Sequence, residues 1–370
     1  MKTLRIRIVG GSLGGLFAGI LLQQDGHEVK IYERSSSGLA GRGAGLVGQR
    51  ELFQILRMIG CEHVARIGVV AKERIYFNKD GGVAELLATP QTQISWDVLY
   101  STVLSHLAPD SYVTGRPVDH LVETSDNVRL IFADGNTEDV DLVVGADGLG
   151  SVVRGLLNGQ SGNEYAGYVA WRGLVREIAL PVEASVLVDR FAFYVAPGIH
   201  ILGYLVPGQQ GELEKAKRRY NWVWYRPVSP ENLRSIFTGA EGQVFTHSLP
   251  RGELSDERLQ GLRHDAAALL PPQFALAVEA EPHPAIQGIF DYEAQRMVSR
   301  RVALIGDAAF VVRPHTAMGV SKAAGDALAL RNALSKSDDL AEALGRYEQE
   351  RLPAGRQIAA YGRRLGASAL

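Results

Sequence analysis

The segment IRIVGGSLGGLFAG, from Ile6 to Gly19, decides the fold that this sequence predicts. Alternating apolar residues up to Val9 predict a strand, and the glycines that follow predict a tight turn. The apolar spacing of LGGLFAGILLQQDG then predicts a helix that ends at Gly26. The next stretch, HEVKIYER, predicts a second strand, and Glu33 stands at its end, about twenty residues beyond the turn. A strand, a glycine turn, a helix and a second strand with an acidic end form the unit that holds the ADP part of a dinucleotide.

The glycine turn departs from the usual G-x-G-x-x-G pattern at one position. Gly10 permits the tight turn and Gly15 permits close packing of the helix, whereas Ser12 stands where a glycine normally lets the backbone approach a pyrophosphate. We expect the motif to function, because a serine adds only a small hydroxyl that can donate to the phosphate. The helix N-terminus favours this anion, and Glu33 would accept hydrogen bonds from the ribose hydroxyls. The residues assigned to the cofactor here are Gly10, Ser12, Leu13, Gly15, Glu33 and Arg34.

Composition excludes several classes of protein. The chain has 370 residues, of which 46% are hydrophobic, and its net charge of -2 provides no electrostatic field for nucleic acid. Because the sequence has no uninterrupted apolar run of about 18 residues and no signal-peptide pattern, neither a membrane span nor secretion is predicted. The single cysteine, Cys61, allows neither an intrachain disulfide nor a cysteine-cluster metal site. We therefore expect a cytoplasmic protein with no metal site.

The rest of the chain divides by its periodicity. QRELFQILRMIG and SWDVLYSTVLSHLA have helical spacing, and ERIYFNKDGGVAEL predicts a hairpin with its turn at Asp80-Gly81. From about Gly167 to Pro284 the sequence is rich in alternating, aromatic strands, which predict a separate and mostly antiparallel sheet. The segment RVALIGDAAF predicts another buried strand, and the spacing of the remaining residues to Leu370 predicts helices.

Three glycine and aspartate turns, each directly after an apolar strand, resemble those of a known family. They are VGGSLGG, DLVVGADGLGSVVR and RVALIGDAAFVVRPHTAMGVSKAAGDAL. Their order and spacing over essentially the whole chain resemble the group A flavoprotein aromatic hydroxylases, the para-hydroxybenzoate hydroxylase class. The resemblance implies FAD as cofactor. It also implies that Asp147 and Gly148 lie near the pyrophosphate and the nicotinamide donor, and that Gly306 and Asp307 hold the ribityl chain.

Two further segments resemble the parts of this family that contact the flavin ring. AGRGAGLVGQ resembles the segment along the flavin, which makes Arg42 and Gln49 candidate contacts. Gly43 stands where the family often has an arginine. The alternative interpretation of Arg42 is a solvated cation in a loop, with no contact to the flavin. In RPHTAMGVSKAAGDALAL, Gly319 and Val320 open a predicted helix. The resemblance implies that the N–H groups at its start point at the pyrimidine edge of the isoalloxazine ring, where negative charge gathers on reduction.

The candidate substrate residues lie in the last motif and in the aromatic strands. By resemblance Pro314 borders the substrate, and His315 is the candidate base or hydrogen-bond partner for a ring hydroxyl, since an unperturbed imidazole titrates near neutrality. The alternative for His315 is a histidine that caps a turn. YAGYVAWRG, FAFYVAPGIHILGYLVPG and YNWVWYRPV resemble a narrower subgroup that contains 2,6-dihydroxypyridine 3-hydroxylase. His200 and Tyr225 complete the catalytic candidates, and a structural role is the alternative for His200 and Arg172.

Strand alternation separates the side chains of the segment YNWVWYRPV. Trp222 and Trp224 fall on one face, and Asn221, Val223 and Tyr225 fall on the other. A tryptophan pair at this spacing is expected to pack within the sheet rather than to contact substrate.

Together these observations predict an α/β fold with a doubly wound FAD-binding domain, an inserted and mainly antiparallel β substrate domain, and C-terminal helices. The FAD-binding domain is assembled from residues 1–72, 96–166 and 285–335, the substrate domain from residues 73–95 and 167–284, and a helical tail from residues 336–370. The resemblance implies hydroxylation of a small, hydroxylated aromatic or hydroxypyridine-like ring with NADH or NADPH and O2. In that reaction reduced FAD and O2 form a C4a-hydroperoxide that transfers OH. A homodimer is also implied, by resemblance alone.

Two other functions fit parts of the sequence. WVWYRP nearly matches the W-x-W-x-I-P signature of flavin-dependent halogenases, with Arg226 in place of the isoleucine. Such an enzyme needs a lysine in the tunnel between flavin and substrate, for which Lys72 and Lys79 are the candidates. Lys79 beside Asp80-Gly81 is, however, typical of a hairpin tip. The second alternative is a non-catalytic flavoprotein that acts as a redox-sensing or binding module.

Overall fold

The computed structural model describes residues 2–39, 41, 45–159 and 162–369. The strands are β1 (Arg5–Val9), β2 (Glu28–Tyr32), β3 (Gly45–Val47), β4 (Gly68–Ala71), β5 (Glu73–Phe77), β6 (Val83–Leu87), β7 (Gln91–Ser95), β8 (Tyr112–Val113), β9 (Val118–Glu123), β10 (Val128–Phe132), β11 (Thr137–Val140), β12 (Leu142–Gly145), β13 (Glu164–Arg176), β14 (Arg190–Ala196), β15 (Ile199–Val206), β16 (Arg219–Pro227), β17 (Ser248–Leu249), β18 (Ala285–Glu293), β19 (Val302–Leu304) and β20 (Phe310–Val311). The α-helices are α1 (Leu13–Gln24), α2 (Arg50–Met58), α3 (Trp96–Leu104), α4 (Val153–Asn158), α5 (Leu233–Ile236), α6 (Asp256–Leu269), α7 (Pro272–Glu279), α8 (Gly319–Ser335) and α9 (Leu340–Ala369).

A parallel sheet carries the predicted dinucleotide-binding unit. Its order is β19-β12-β1-β2-β8, and each neighbouring pair runs parallel. All residues of β12 are buried, as expected for an inner strand of a parallel sheet. Because the carboxyl ends of parallel strands meet at one edge of a sheet, the turns that follow β1, β12 and β19 lie side by side. These are the turns at Gly10, Asp147 and Asp307, so the fold brings the three predicted motifs together.

A second, larger sheet is formed mainly by the aromatic segment. Its order is β17-β18-β13-β16-β15-β14-β5-β6, with β20 paired to β18. The pairs are antiparallel except that of β14 with β5. The predicted hairpin is present as β5 and β6, and Gly81 in its turn has a φ of +90°. The predicted α/β architecture with an inserted antiparallel sheet is thus confirmed.

Two strands, β7 and β18, pair in other sheets than the predicted domain boundaries imply. β18 belongs to the large sheet, although residues 285–335 are predicted for the FAD-binding domain. β7 pairs with β3 and β4 in a small separate sheet, although residues 73–95 are predicted for the substrate domain. Periodicity identifies a strand, but tertiary packing selects the strand with which it pairs.

The two faces of the large sheet have different environments. Trp222 and Trp224 are completely buried in the main hydrophobic core, which confirms the predicted packing of this pair. Val223 and Tyr225 project from the opposite face and pack in a separate cluster with Tyr168. One face of the sheet therefore packs on the core, and the other is available to line a cavity.

The C-terminal helices complete the fold. α8 begins at Gly319, as predicted, and packs against α1 and α9. α9 extends over 30 residues and lies against α8, β18 and β20, so the predicted tail is packed onto the rest of the fold. Among the described helices, none combines the length and the apolar character needed to span a membrane.

Candidate active site

The first glycine turn borders a cavity of about 330 Å³ at the carboxyl edge of the parallel sheet. Gly10 has a φ of +107°, and a Cβ there would lie 2.4 Å from the carbonyl oxygen of Ala146. A Cβ on Gly15 would lie 2.1 Å from the carbonyl oxygen of Gly10, so this backbone requires both glycines. Ser12 is the N-cap residue of α1, and its side chain makes no capping hydrogen bond. Its hydroxyl and the first N–H groups of α1, which have no partner within the helix, are suited to a phosphate.

The acidic residue after β2 lies at the same cavity. One carboxylate oxygen of Glu33 accepts from the N–H of Gly11 at 2.9 Å, and the other accepts from the N–H of Ser35 at 2.8 Å. Glu33 thus connects the glycine turn to the end of β2, and its contact with a ribose stays a prediction. Arg34 also lines the cavity. The side chain of Leu13 is buried in the hydrophobic core, so only its backbone is available to a cofactor.

The turn after β12 forms another wall of this cavity. Asp147 accepts hydrogen bonds from the hydroxyl of Ser151 at 2.6 Å and from the N–H groups of Val152 and Val153 at 2.7 and 3.3 Å. These bonds hold the turn in shape and cap the short helix α4. Asp147 and Gly148 both line the cavity, next to the glycine turn. Their predicted proximity to the pyrophosphate is compatible with this position and stays a prediction.

Arg154 is a residue whose role only the structure reveals. Its buried guanidinium donates to the carbonyl oxygens of Gly148 at 2.8 Å and Asp307 at 2.7 Å, and to Oδ1 of Asn163 at 2.7 Å. It also lies 3.9 Å from the ring centre of Tyr292. Arg154 therefore ties the turn after β12 to the turn after β19. The sequence feature that could have indicated this role is the arginine at the end of the segment DGLGSVVR.

We expect Arg154→Ala to lower the free energy of unfolding by about 3 kcal/mol, because two carbonyl oxygens and an amide lose a charged donor. The same change should reduce FAD retention on gel filtration, since the two turns are no longer held together. Urea unfolding measures the first effect. Arg129→Ala is the matched control, because Arg129 makes an exposed ion pair with Asp139 and should leave the unfolding midpoint unchanged. Equal midpoints for both variants would contradict this role of Arg154.

A larger cavity of about 930 Å³ lies against the large sheet and adjoins the first. Gly148 and Gly150 line the smaller cavity and Leu149 lines the larger one, so the two cavities meet at this turn. Asp307 lines the larger cavity with about half of its side chain exposed, and its Oδ1 is 3.2 Å from Nζ of Lys322. The predicted ribityl-binding carboxylate is therefore accessible from this cavity.

The start of α8 also borders the larger cavity. Gly319 and Val320 line it together with the preceding segment, residues 314–318. The first N–H groups of a helix have no partner within the helix, and the helix dipole makes this end favourable for negative charge. This position is compatible with the predicted orientation of the helix start toward the flavin ring, which stays a prediction.

The segment predicted to lie along the flavin is described in part. Gln49 lines the larger cavity, and its amide donates to the carbonyl oxygens of Thr316 and Ala317 at 3.4 and 3.3 Å. This contact joins the segment before α2 to the turn before α8. Arg42 and Gly43 lie outside the described residues, so the predicted flavin contact of Arg42 stays a prediction.

Four ring side chains form a cluster at the larger cavity, and three of them, those of His200, Tyr225 and His315, line it. His200 and Tyr225 are direct register partners on β15 and β16, and their ring centres are 5.4 Å apart. The ring centre of His315 is 4.2 Å from that of Tyr225 and 5.6 Å from that of His200. Nε2 of His315 and the hydroxyl of Tyr168 are hydrogen-bonded at 3.0 Å. The fold thus brings together three of the catalytic candidates, and Pro314 lines the cavity beside them.

Burial determines the protonation of this cluster. Loss of solvation, reinforced by the neighbouring His200 and Arg313, lowers the pKa of His315 to about 3. Burial lowers the pKa of His200 to about 4 and raises the pKa of Tyr168 to about 12. All three side chains are therefore uncharged near neutral pH. The near-neutral titration expected of an unperturbed His315 is wrong for this site, because the surrounding protein removes part of the solvation that an imidazolium needs.

The C-terminal helix contributes side chains that sequence periodicity does not assign to the site. Tyr361 and Leu365 of α9 line the larger cavity. Gly366 approaches so closely that a Cβ there would lie 2.8 Å from the hydroxyl oxygen of Tyr168. Periodicity predicts this helix but not its partner, since the contact joins segments far apart in the chain.

The geometry fits FAD. A glycine turn without room for a Cβ and a helix N-terminus border one cavity, and an accessible carboxylate and a second helix start border the adjoining, larger one. Family models agree with this class: a FAD binding domain-like model matches residues 165–291, and a FAD binding domain model matches residues 279–361. The fold and the site therefore define a FAD-binding protein.

The relatives narrow this class to one family. The 2,6-dihydroxypyridine 3-monooxygenase of Paenarthrobacter nicotinovorans is 33% identical over 358 residues, which are 95% of this chain and 88% of that protein. The chain therefore belongs to the FAD-dependent aromatic hydroxylases and is a flavin monooxygenase. The 6-hydroxynicotinate 3-monooxygenase of Bordetella bronchiseptica is 25% identical, over 94% of this chain and 87% of that protein. The solved structure of 2,6-dihydroxypyridine-3-hydroxylase from Arthrobacter nicotinovorans matches with a TM-score of 0.92 at 31% identity, over 100% of this chain and 93% of that one.

Proposed function

We propose that this enzyme uses NADH or NADPH and O2 to hydroxylate a small, hydroxylated heteroaromatic ring of the hydroxypyridine type. The observation that carries the proposal is the cluster of two uncharged histidines and two tyrosines, of which His200, Tyr225 and His315 line the cavity that the start of α8 also borders. Such a cluster offers flat apolar contact and hydrogen bonds to a small hydroxylated ring. The names of two relatives add support, because those enzymes act on a dihydroxypyridine and a hydroxynicotinate.

The residues of this chain would divide the work of such a reaction. The chemistry that FAD supplies when bound is hydride acceptance from the nicotinamide and activation of O2. Glycine-turn N–H groups and Arg34 would bind the ADP part, and the N–H groups at Gly319 and Val320 would stabilise negative charge at the ring edge. The large sheet and α9 would exclude water from the reacting ring.

His315 would hold the substrate ring through a hydrogen bond. With its pKa lowered to about 3, its imidazole is neutral at ordinary pH and is a weak base. The hydrogen bond between Nε2 and Tyr168 fixes the orientation of the ring, which leaves Nδ1 for a substrate hydroxyl. Tyr225, 4.2 Å away between ring centres, would pack against the same substrate.

The two alternative functions are not supported. Nζ of Lys79 donates to the carbonyl oxygen of Leu270 at 2.9 Å, which fastens the hairpin to the end of α6, and Lys72 is exposed. Neither lysine is among the described residues that line the larger cavity. Trp224 of the halogenase-like segment is completely buried. The relatives from Paenarthrobacter nicotinovorans and Bordetella bronchiseptica are named monooxygenases, which opposes a non-catalytic module.

One experiment tests the proposed function. The purified holoenzyme is mixed with NADH or NADPH and with 2,6-dihydroxypyridine, 6-hydroxynicotinate, 3-hydroxybenzoate or phenol, and oxidation of the nicotinamide is followed. We expect a hydroxypyridine to stimulate oxidation and to yield a product heavier by one oxygen atom, labelled when the reaction is run under ¹⁸O2. A product that is labelled from water, or halogenated only when halide is present, would refute the proposal. So would a complete lack of stimulation.

Three parts of the proposal rest on the family resemblance and on composition. O2 as the oxidant is tested by the isotope label. A homodimer is predicted from resemblance, and sedimentation of the holoenzyme measures it. A cytoplasmic location fits a chain that has one cysteine and forms no disulfide, and cell fractionation measures it.

A further inference from the structure

Lys322 is a charged residue in the interior of the protein. Its side chain is 1% exposed, and it is among the largest fully buried side chains that the structure describes. Nζ donates to the carbonyl oxygen of Phe310 at 2.7 Å and lies 3.2 Å from Oδ1 of Asp307. A lysine is almost never fully buried unless it is paired, because removing water from an ammonium group is costly. These two contacts therefore have to offset that cost.

The position of Lys322 in α8 adds a second cost. Lys322 is the fourth residue of this helix, which begins at Gly319. The helix dipole makes the first turn of a helix favourable for negative charge and unfavourable for an ammonium group. A positive side chain at this end is therefore stabilised chiefly by a nearby anion, and Asp307 is the only ion-pair partner of Lys322 among the residues that the structure describes.

The next carboxylate along α8, that of Asp326, is matched by a different cation. Its Oδ1 is 2.7 Å from Nε of Arg351 on α9, and its Oδ2 accepts from the N–H of Gly306 at 2.9 Å. Asp326 and Arg351 thus form a separate buried pair that holds the start of the turn after β19. The charge of Lys322 is left to Asp307.

The backbone of this turn is also held without the ion pair between Lys322 and Asp307. Asp326 binds the N–H of Gly306, and Arg154 donates to the carbonyl oxygen of Asp307 at 2.7 Å. The ion pair acts instead on the side chain of Asp307, which lines the larger cavity and is about half exposed. Its Oδ2 makes no hydrogen bond to any residue that the structure describes. One oxygen is thus fixed by a buried cation, and the other can accept a hydrogen bond from a ligand.

We propose that Lys322 is a positioning residue of the FAD site: its buried ammonium fixes Oδ1 of Asp307, so that Oδ2 accepts a hydrogen bond from a ribityl hydroxyl. The proposal rests on the predicted contact of Asp307 with the ribityl chain, and it goes beyond the proposed hydroxylation because it concerns cofactor binding alone. Lys322 is not among the described residues that line the larger cavity, so it acts through Asp307. Without the ammonium the half-exposed carboxylate is free to rotate toward solvent, and ordering it again costs free energy on binding.

A double-mutant cycle in FAD affinity tests the proposal. Holoenzymes of the wild type, Lys322→Met, Asp307→Asn and the double variant are diluted serially, and the flavin fluorescence released gives the dissociation constant of FAD. We expect Lys322→Met and Asp307→Asn each to weaken FAD binding about tenfold. Because Lys322 acts through Asp307, the double variant should also be weakened about tenfold, rather than the roughly 100-fold that independent effects would give.

Lys322→Gln separates the ion pair from the bond to Phe310. Its amide can still donate to that carbonyl oxygen, whereas the charge that fixes Asp307 is removed. It should therefore melt closer to the wild type than Lys322→Met does, yet release FAD as readily. Lys336→Met is the matched control, because Lys336 is exposed at the other end of α8 and its loss changes the net charge equally. We expect it to retain FAD as the wild type does.

Three results would overturn the proposal. The first is a dissociation constant of FAD within about twofold of the wild type for both Lys322 variants. The second is a double variant weakened by the product of the two single effects, which would make Lys322 a purely structural residue. The third is unchanged affinity of Asp307→Asn, which would remove the predicted ribityl contact. No arm requires turnover, so a holoenzyme with the expected FAD affinities but no hydroxylated product contradicts the proposed function and leaves this result intact.

Discussion

Gly15→Ala is expected to abolish FAD retention and to lower the free energy of unfolding by about 3 kcal/mol. The added Cβ would lie 2.1 Å from the carbonyl oxygen of Gly10, a backbone atom that no side-chain rotation can move away. Gly10 cannot move aside, because it is held at a φ of +107° directly above Ala146. The remaining route is displacement of α1 from β1, which would loosen the contacts of the completely buried Leu16 and Phe17. Urea unfolding and gel filtration of the holoenzyme measure the two effects.

Two other substitutions show whether this effect belongs to the turn. Gly345→Ala adds a Cβ to a helix where nothing lies within 4 Å, so it should leave FAD bound and stabilise the chain by up to about 1 kcal/mol. Ser12→Gly restores the usual glycine pattern and should also retain FAD, because the Ser12 side chain makes no capping hydrogen bond. A stable Gly15→Ala variant with bound FAD would show that the helix does not need this close approach. Complete loss of FAD from Ser12→Gly would make the hydroxyl a required ligand.

His315→Ala is expected to slow hydroxylation about 100-fold while the dissociation constant of FAD changes less than twofold. The imidazole lies 4.2 Å from Tyr225 between ring centres and is held by Tyr168, so its loss frees the substrate ring at the place where it must be oriented. Product formed per nicotinamide oxidised should fall as well, since a misplaced ring is not hydroxylated. Single-turnover kinetics with a stimulating hydroxypyridine measures both quantities.

The pH profile distinguishes a hydrogen-bonding His315 from a titrating base. Because its pKa is lowered to about 3, the imidazole is neutral above that pH and gains a proton only as the pH falls toward 3. The wild-type profile should therefore show no ionisation near 6.5 that disappears in His315→Ala. His315→Gln, which keeps hydrogen-bonding groups, should recover part of the rate, and Tyr168→Phe should lose about tenfold. A limb near 6.5 that depends on His315 would refute the assignment of a neutral imidazole at ordinary pH.

Local sequence patterns predict most of the nucleotide-binding part of the site. The order of strand, turn and helix around Gly10 and Gly15 is encoded by backbone sterics and by apolar spacing, which depend on neighbouring residues alone. The same holds for the β5–β6 hairpin at Gly81 and for the helix that starts at Gly319. The family resemblance adds Pro314 and His315 as residues predicted at the substrate, and both line the larger cavity.

Other features depend on residues that are far apart in the chain. Arg154 joins two turns by bonds to Gly148 and Asp307, and Tyr168 reaches His315 from another strand. A single arginine or tyrosine in a sequence does not reveal such a partner. The position of α9 over the cavity is of the same kind, since its periodicity is equally compatible with a helix packed elsewhere.

The sequence by itself determined the class of fold, the required glycines and the three turns that meet at one sheet edge, because each of these follows from local sterics and from the common direction of parallel strands. Only the tertiary structure decided that β18 joins the large sheet, that His315 is neutral and that Nε of Arg172 is buried without a hydrogen-bond partner among the described residues. Strand pairing, desolvation and charge compensation are set by what surrounds a group in space. Those surroundings are made by segments from the whole chain, so no local pattern contains them.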